Sequence, residues 1–178
     1  MYLPKDLARF TLLEFERGLA GLTDEEARTR VDKADGAQMN AVSWVVCHIA
    51  WHWLSLASLA TGERAPSGLR PFATGPNADP TPPPLTDALA LLAGALDATA
   101  WVASADDGRL SATSRGDENL GTSLMRATLH TWYHLGEIAA MRQVMGLEEV
   151  AFVGRMANSL EWRGAPGGTE PSQGADAP

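Results

Sequence analysis

The placement of proline is the feature that most restricts the fold of this chain. All 11 prolines lie at Pro4, between Pro66 and Pro84, or from Pro166 onward. Proline interrupts helices because it lacks a backbone N–H and its ring clashes with the preceding turn. Two long proline-free blocks therefore remain in which helices can run without interruption.

Apolar periodicity predicts two long helices in each of these blocks. Asn40 and Thr86 are the predicted N-caps of the second and third helices, because their side chains can accept from free backbone N–H groups. Gly62 and Gly146 are predicted to end the second and fourth helices. The predicted extents are residues 5–20, 41–60, 86–104 and 122–145.

Composition predicts the character of the segments between and after these helices. Thr23 and Glu26 match a capping box and predict a short helix after the first long one. Residues 62–84 contain seven prolines, which predicts an extended crossover covering a surface. A polar loop is expected before the fourth helix, and residues 163–178 are expected to form a flexible C-terminal tail. We therefore expect an all-α four-helix bundle, formed by a single domain of residues 1–162, with a proline-rich crossover between its second and third helices.

Charge and cysteine content narrow the partners of the protein. The formal net charge of -8 disfavours nucleic acid and anionic membranes, because both attract basic surfaces. The N-terminal sequence lacks the apolar core of a signal peptide, and we expect no apolar stretch of about 18 residues that could span a bilayer. We expect a cytoplasmic protein, monomeric or a homodimer, with a small-molecule substrate. Cys47 is the only cysteine, so any metal must be bound by nitrogen or oxygen.

The histidines are the most informative polar residues of the sequence. All four form HxxxH pairs, one pair in each of two predicted helices, and they are His48, His52, His130 and His134. Residues four apart share one face of a helix. One explanation is that they are amphipathic side chains at the edge of the bundle, each hydrogen-bonded to a neighbour. Two such pairs on two helices favour a metal site.

The neighbours of these histidines exclude two familiar kinds of metal site. The protease motif HExxH requires a glutamate directly after the first histidine, but Ile49 and Thr131 occupy those positions. Carboxylate-bridged di-iron bundles require a glutamate three residues before their histidines. The four positions concerned hold Val45, Ile49, Ala127 and Thr131. An imidazole-rich mononuclear site for a divalent transition metal (zinc, nickel or iron) remains, with an open position for water or substrate.

Two segments resemble the DinB/YfiT-like superfamily of metal-dependent enzymes. They are NAVSWVVCHIAW, residues 40–51, and HTWYHLGEIAAMRQVMG, residues 130–146. The resemblance implies an up-down-down-up four-helix bundle and the metal ligands His48, His130 and His134. His52 departs from the pattern of the family, where the matching residue is usually not a ligand. Its alternatives are a fourth ligand, a donor that orients another ligand, and a residue on the rim of the site.

Two residues near the histidines are further candidates for the site, and Cys47 is not. Glu137 follows His134 by three residues and could orient that ligand, accept a proton, or be a solvated helix glutamate. Trp51 follows His48 by three residues and could line a pocket around the ion or pack in the core. Cys47 is expected to be a buried packing residue and a poor nucleophile.

The resemblance also suggests a chemistry. Characterised members of the superfamily include metal-dependent transferases that use low-molecular-weight thiols such as bacillithiol and mycothiol, and a mycothiol-dependent maleylpyruvate isomerase. This implies a thiol S-transferase acting on small electrophiles. The alternatives are a metal-dependent small-molecule hydrolase, with Glu137 as proton acceptor, and a non-enzymatic metal-binding or interaction bundle. A haem protein with two histidine ligands would leave the other two histidines unexplained.

Overall fold

The computed structural model describes residues 4–66, 68–73, 79–150, 156 and 160, and it is mostly α-helical. The predicted tail at residues 163–178 lies outside the described residues. The helices are α1 Pro4–Gly18, α2 Asp24–Arg28, α3 Val42–Thr61, α4 Leu85–Ala98, α5 Trp101–Ser104, α6 Asp107–Ser111 and α7 Leu120–Val144. A 3-10 turn spans Arg70–Phe72, and strands β1 Thr113–Arg115 and β2 Glu118–Asn119 pair antiparallel.

The four long predicted helices correspond to α1, α3, α4 and α7. Several helix ends, including the start of the short α2, were predicted correctly. The capping box of Thr23 and Glu26 is present at the start of α2. Gly62 is the C-cap of α3 with a φ of 76°, in the left-handed region that favours glycine. Gly146 follows the C-cap of α7 and also has a positive φ, of 69°.

The predicted N-caps of α3 and α4 were wrong. The N-cap of α3 is Ala41 and not Asn40, and that of α4 is Pro84 and not Thr86. At α4 a tertiary contact replaces the local cap, because the Leu85 N–H donates to the Asp24 carboxylate at 2.7 Å. A carboxylate 61 residues away in sequence thus satisfies one of the free N–H groups that every helix start exposes.

The end of the third predicted helix and the start of the fourth also differ from their predicted positions. The third predicted helix is interrupted after Ala98, where the Thr99 hydroxyl donates to the Leu96 carbonyl, and the short α5 follows up to Ser104. The fourth begins at Leu120 and not at 122, with Asn119 capping the N–H of Thr122. The loop predicted before it contains α6 and the β1–β2 hairpin.

The long helices pack around α3, which contacts both α4 and α7, while α1 packs on α7. α1 and α7 run in the same direction, since Phe10 lies against Trp132 and the Gly18 carbonyl faces Arg142. α3 and α7 run in opposite directions. Their contacts pair Trp53 with Thr131 and, one turn further along, His48 with His134.

Among the residues that the structure describes, two helical segments are long and apolar enough to cross a membrane, contrary to the expectation from the sequence. They are Val42–Thr61 and Leu85–Ser104. Of the first segment 72% is buried inside the protein, and of the second 39%. Burial explains the apolar character of Val42–Thr61, because the central helix of a core passes the same test of length and composition.

Candidate metal centre

The antiparallel packing of α3 and α7 brings all four histidines together. His48 is fully buried, and its ring centroid lies 4.7 to 5.1 Å from those of the other three. The rings of His52 and His130 are 4.1 Å apart, and those of His130 and His134 are 4.6 Å apart. Each helix supplies one pair because residues four apart project from the same face.

The ring nitrogens converge at His130. Its Nε2 lies 3.4 Å from Nε2 of His48 and 3.0 Å from Nε2 of His134. A tetrahedral zinc ion with bonds of 2.0–2.1 Å separates two ligand nitrogens by about 3.3 Å. Ligand atoms of His48, His52 and His130 also lie within 4.8 Å of one another. His48 and His130 therefore form a set of three with His52, and His134 joins this set through its contact with His130.

In two of the four histidines, a hydrogen bond holds Nδ1, the ring nitrogen on the other side of the ring from Nε2. Nδ1 of His48 donates to the Phe72 carbonyl at 2.6 Å. Nδ1 of His134 lies 2.7 Å from the Glu137 carboxylate. A carbonyl or a carboxylate oxygen accepts here, so each Nδ1 donates its proton, and in the neutral form of each ring Nε2 presents a lone pair. Metal-bound histidines are usually fixed by partners of this kind.

Aromatic rings surround the histidines on the α3 side. Trp44 stacks on His48 with a centroid distance of 5.2 Å and an interplanar angle of 12°, and its indole N–H donates to the Asp79 carbonyl at 2.5 Å. Trp51 lies 6.1 Å from His48 and 4.6 Å from His52. Both tryptophans therefore reduce the contact of the imidazoles with water.

This environment favours the neutral form of three imidazoles, those of His48, His52 and His130. Burial, with the neighbouring histidines, lowers the pKa of His52 to about 3 and that of His130 to about 4. Burial also lowers the pKa of His48, against the opposing effect of its bond to Phe72. Neutral imidazole is the form that binds metal ions, so these three histidines are in the metal-binding form at neutral pH.

A family comparison agrees with this geometry. The model of the DinB superfamily matches residues 9–138, which is well over half of the chain and includes the four histidines and Glu137. The chain belongs to the DinB superfamily. No curated protein and no solved structure matches it.

Sequence reasoning did not find every contact of this DinB-superfamily site. The Phe72 carbonyl that holds His48 lies in the proline-rich segment, and a main-chain oxygen leaves no signature in a sequence. Trp44 both packs in the core, where only 3% of it is exposed, and stacks on His48. The spacing of Trp44 and His48, four residues apart on one helix, was the available signal.

The two prominent cavities in the described part of the chain lie away from the histidines. One, of about 270 Å³, is lined by α1 and α7 residues that include Glu14, Arg17, Trp132 and Arg142. The other, of about 460 Å³, lies beside α1, α4 and α5 and has Trp53 in its wall. The carbonyl groups of Gly18, Ala20 and Glu148 accept from Arg142, which gives this buried arginine a structural role.

Proposed function

We propose that this protein is a metal-dependent enzyme that transfers a low-molecular-weight thiol to a small electrophilic substrate. In this proposal His48, His130 and His134 hold a divalent zinc, nickel or iron ion. The observation that carries it is the position of Nε2 of His130, which lies 3.4 Å from Nε2 of His48 and 3.0 Å from Nε2 of His134. Membership of the DinB superfamily supports the same three ligands.

The fold assigned to the site is a four-helix bundle of α1, α3, α4 and α7, with residues 62–84 as the crossover between α3 and α4. Two described contacts support a covering role for the crossover. The Phe72 carbonyl holds His48, and the Asp79 carbonyl accepts from Trp44. The crossover thus supports both the most buried ligand and the ring stacked on it.

Three neutral histidine ligands favour an anionic group in the remaining position of the ion. Three neutral imidazoles leave the charge of a divalent ion uncompensated, so the ion would lower the pKa of a bound thiol and supply a thiolate. In the overall reaction with an electrophile such as 1-chloro-2,4-dinitrobenzene, the S–H and C–Cl bonds break, the thiol sulfur forms a bond to the electrophilic carbon, and the proton and chloride pass to solvent. His48 and His134 contribute by holding their Nε2 atoms in place through their bonds to Phe72 and Glu137.

Cys47 is not suited to act as the thiol nucleophile, so the reacting thiol must come from a separate molecule. Cys47 is 2% exposed, and burial raises the pKa of its thiol to about 12. Glu137 is engaged by Nδ1 of His134 at 2.7 Å, which favours a positioning role over the removal of a proton from water. This observation ranks thiol transfer above hydrolysis.

The test compares thiol-dependent and thiol-independent turnover. Protein loaded separately with zinc, nickel or iron is given bacillithiol, mycothiol or no thiol, with 1-chloro-2,4-dinitrobenzene as the electrophile. We expect conjugation that requires both metal and thiol and is lost in His134→Ala, with Leu59→Ala on the exposed side of α3 as the matched control.

Other results contradict the proposal in distinct ways. Hydrolysis of p-nitrophenyl acetate by the loaded protein without thiol, but no conjugation, would identify a hydrolase. A stable metal complex without either activity would identify a non-enzymatic metal-binding bundle. Absence of metal binding would remove the basis of all three functions.

A further inference from the structure

His52 contributes an imidazole to the cluster beyond the three ligands assigned above. Its ring centroid lies 4.1 Å from that of His130 and 4.7 Å from that of His48. Its ligand atom lies within 4.8 Å of those of both residues. His52 thus adds an imidazole to a centre that needs only three protein ligands to leave one site open for a substrate.

The second ring nitrogen distinguishes His52 from the anchored ligands. His48 and His134 are each held through Nδ1, by the Phe72 carbonyl and the Glu137 carboxylate. Among the residues that the structure describes, no hydrogen bond holds either ring nitrogen of His52. Its described ring contacts are with other rings, those of His48, His130 and the edge of Trp51. Such contacts restrain a side chain less than a short hydrogen bond to a fixed acceptor.

We propose that His52 is a displaceable fourth ligand, which binds the ion in the absence of substrate and gives up its position when a thiol binds. The inference rests on the proposed function, since it requires an ion held by His48, His130 and His134. It assigns His52 a role in regulating access to that ion. The lack of an anchor is what permits the ring to leave.

Competition for one position makes this proposal quantitative. If His52 binds the ion with an equilibrium constant K, it strengthens metal binding by a factor of 1 + K. The thiol must displace the same imidazole, so its apparent affinity falls by the same factor. Removing His52 must therefore weaken metal binding and tighten thiol binding by equal factors.

The experiment uses Co(II), which reports its ligands by absorption, in the full-length wild type, His52→Ala, His134→Ala and Leu59→Ala. Metal affinity is measured by competition with a chelator at fixed pH. Thiol affinity is measured by titrating 2-mercaptoethanol and following the sulfur-to-cobalt charge-transfer band. Circular dichroism of the metal-free proteins checks that each variant is folded.

We expect His52→Ala to weaken Co(II) binding and to tighten 2-mercaptoethanol binding by matching factors of about tenfold or more, comparable with the effect of losing a group that orients a ligand. Added free imidazole should restore the visible spectrum of the wild type in His52→Ala. A residue with a merely structural role would show neither the matched factors nor the rescue. Leu59→Ala should behave as the wild type in both titrations.

Three results would overturn the proposal. They also distinguish a failure of the role assigned to His52 from a failure of the proposed function. If both affinities are unchanged in His52→Ala while His134→Ala loses Co(II), His52 is not a ligand and the three-histidine site stands. If metal binding weakens and thiol binding does not tighten, His52 is not displaced. If the wild type binds no Co(II), both proposals fail.

Discussion

The residues of the histidine cluster differ most in what holds their second ring nitrogen. His48 uses a main-chain carbonyl, His134 uses a carboxylate three residues further along its own helix, and His130 lies between their Nε2 atoms. An ordered hydrogen bond fixes the tautomer of an imidazole and the direction of its lone pair. The partner of each histidine therefore determines how strongly it can bind a metal.

Glu137 gives a direct test of this relation. We expect Glu137→Ala to weaken zinc binding by about 10- to 100-fold, the usual effect of losing a partner that orients a ligand. Glu137→Gln should recover much of that affinity, because its amide oxygen can still accept from Nδ1 of His134. Zinc affinities come from competition with a chromogenic chelator.

The matched control is Glu25→Ala, which removes an exposed carboxylate from α2. It should leave zinc affinity unchanged. Equal affinities for Glu137→Ala and the wild type would mean that the bond at 2.7 Å does not position the ligand.

Thr131 connects the cluster to the core. This fully buried residue lies next to His130, donates to the Ala127 carbonyl, and accepts from the Trp53 indole at 3.0 Å. We expect Thr131→Val to lower the free energy of unfolding by about 1–3 kcal/mol, because the buried indole N–H loses its acceptor. Urea denaturation measures the change.

Thr128→Val is the control for the loss of a hydroxyl on the same helix. Thr128 is also buried, and the partner of its hydroxyl is the Leu124 carbonyl. We expect it to cost under about 1 kcal/mol, since no indole donor depends on it. A larger loss in Thr128→Val than in Thr131→Val would contradict this account of the buried indole.

At the scale of the elements, local sequence predicted helix ends only where the cap is local. Gly62 and the Thr23–Glu26 box act through neighbouring backbone and were predicted correctly. The start of α4 was not, since its cap is Asp24 on a separate helix. A sequence pattern contains no information about an acceptor that folding brings from elsewhere in the chain.

Two glycines should respond in opposite directions to the same substitution. Gly62 has a φ of 76°, so Gly62→Ala should destabilise the protein by roughly 1–2 kcal/mol, the cost of the left-handed region for a residue with a Cβ. Gly94 lies inside α4, is exposed, and has open space where a Cβ would stand. Gly94→Ala should therefore stabilise by about 0.5–1 kcal/mol.

Thermal or urea unfolding of the two variants beside the wild type provides the comparison. Because the substitution is identical, any general effect of adding a methyl group is the same in both. Changes of the same sign would show that helix geometry does not govern these positions.

At the scale of the whole molecule, the buried imidazoles make stability depend on pH. The pKa values of His52 and His130 fall to about 3 and about 4 in the folded protein, against about 6.5 in an unfolded chain. Between pH 6.5 and 4 the unfolded state therefore binds more protons than the native state. The free energy of unfolding of the metal-free protein should fall as pH is lowered through this window.

Urea unfolding at pH 7.0, 6.0 and 5.0 in the presence of a chelator measures this dependence. Over this range ordinary carboxylates remain largely ionised, so the histidines account for most of the change. His52→Ala should show a smaller loss of stability between pH 7 and 5 than the wild type. Constant wild-type stability over the range would contradict the burial of these groups.

The sequence by itself determined the helical class, the placement of the long helices and the two histidine pairs, because proline positions and residue spacing act through local backbone geometry. The family resemblance implied opposite directions for α3 and α7, but only the tertiary structure gave the packing that brings Nε2 of His130 within 3.4 Å of that of His48. It also supplied the Phe72 carbonyl and the Asp24 cap, from segments distant along the chain. Spacing fixes which side chains share a helix face, whereas the packing of the core decides which faces meet.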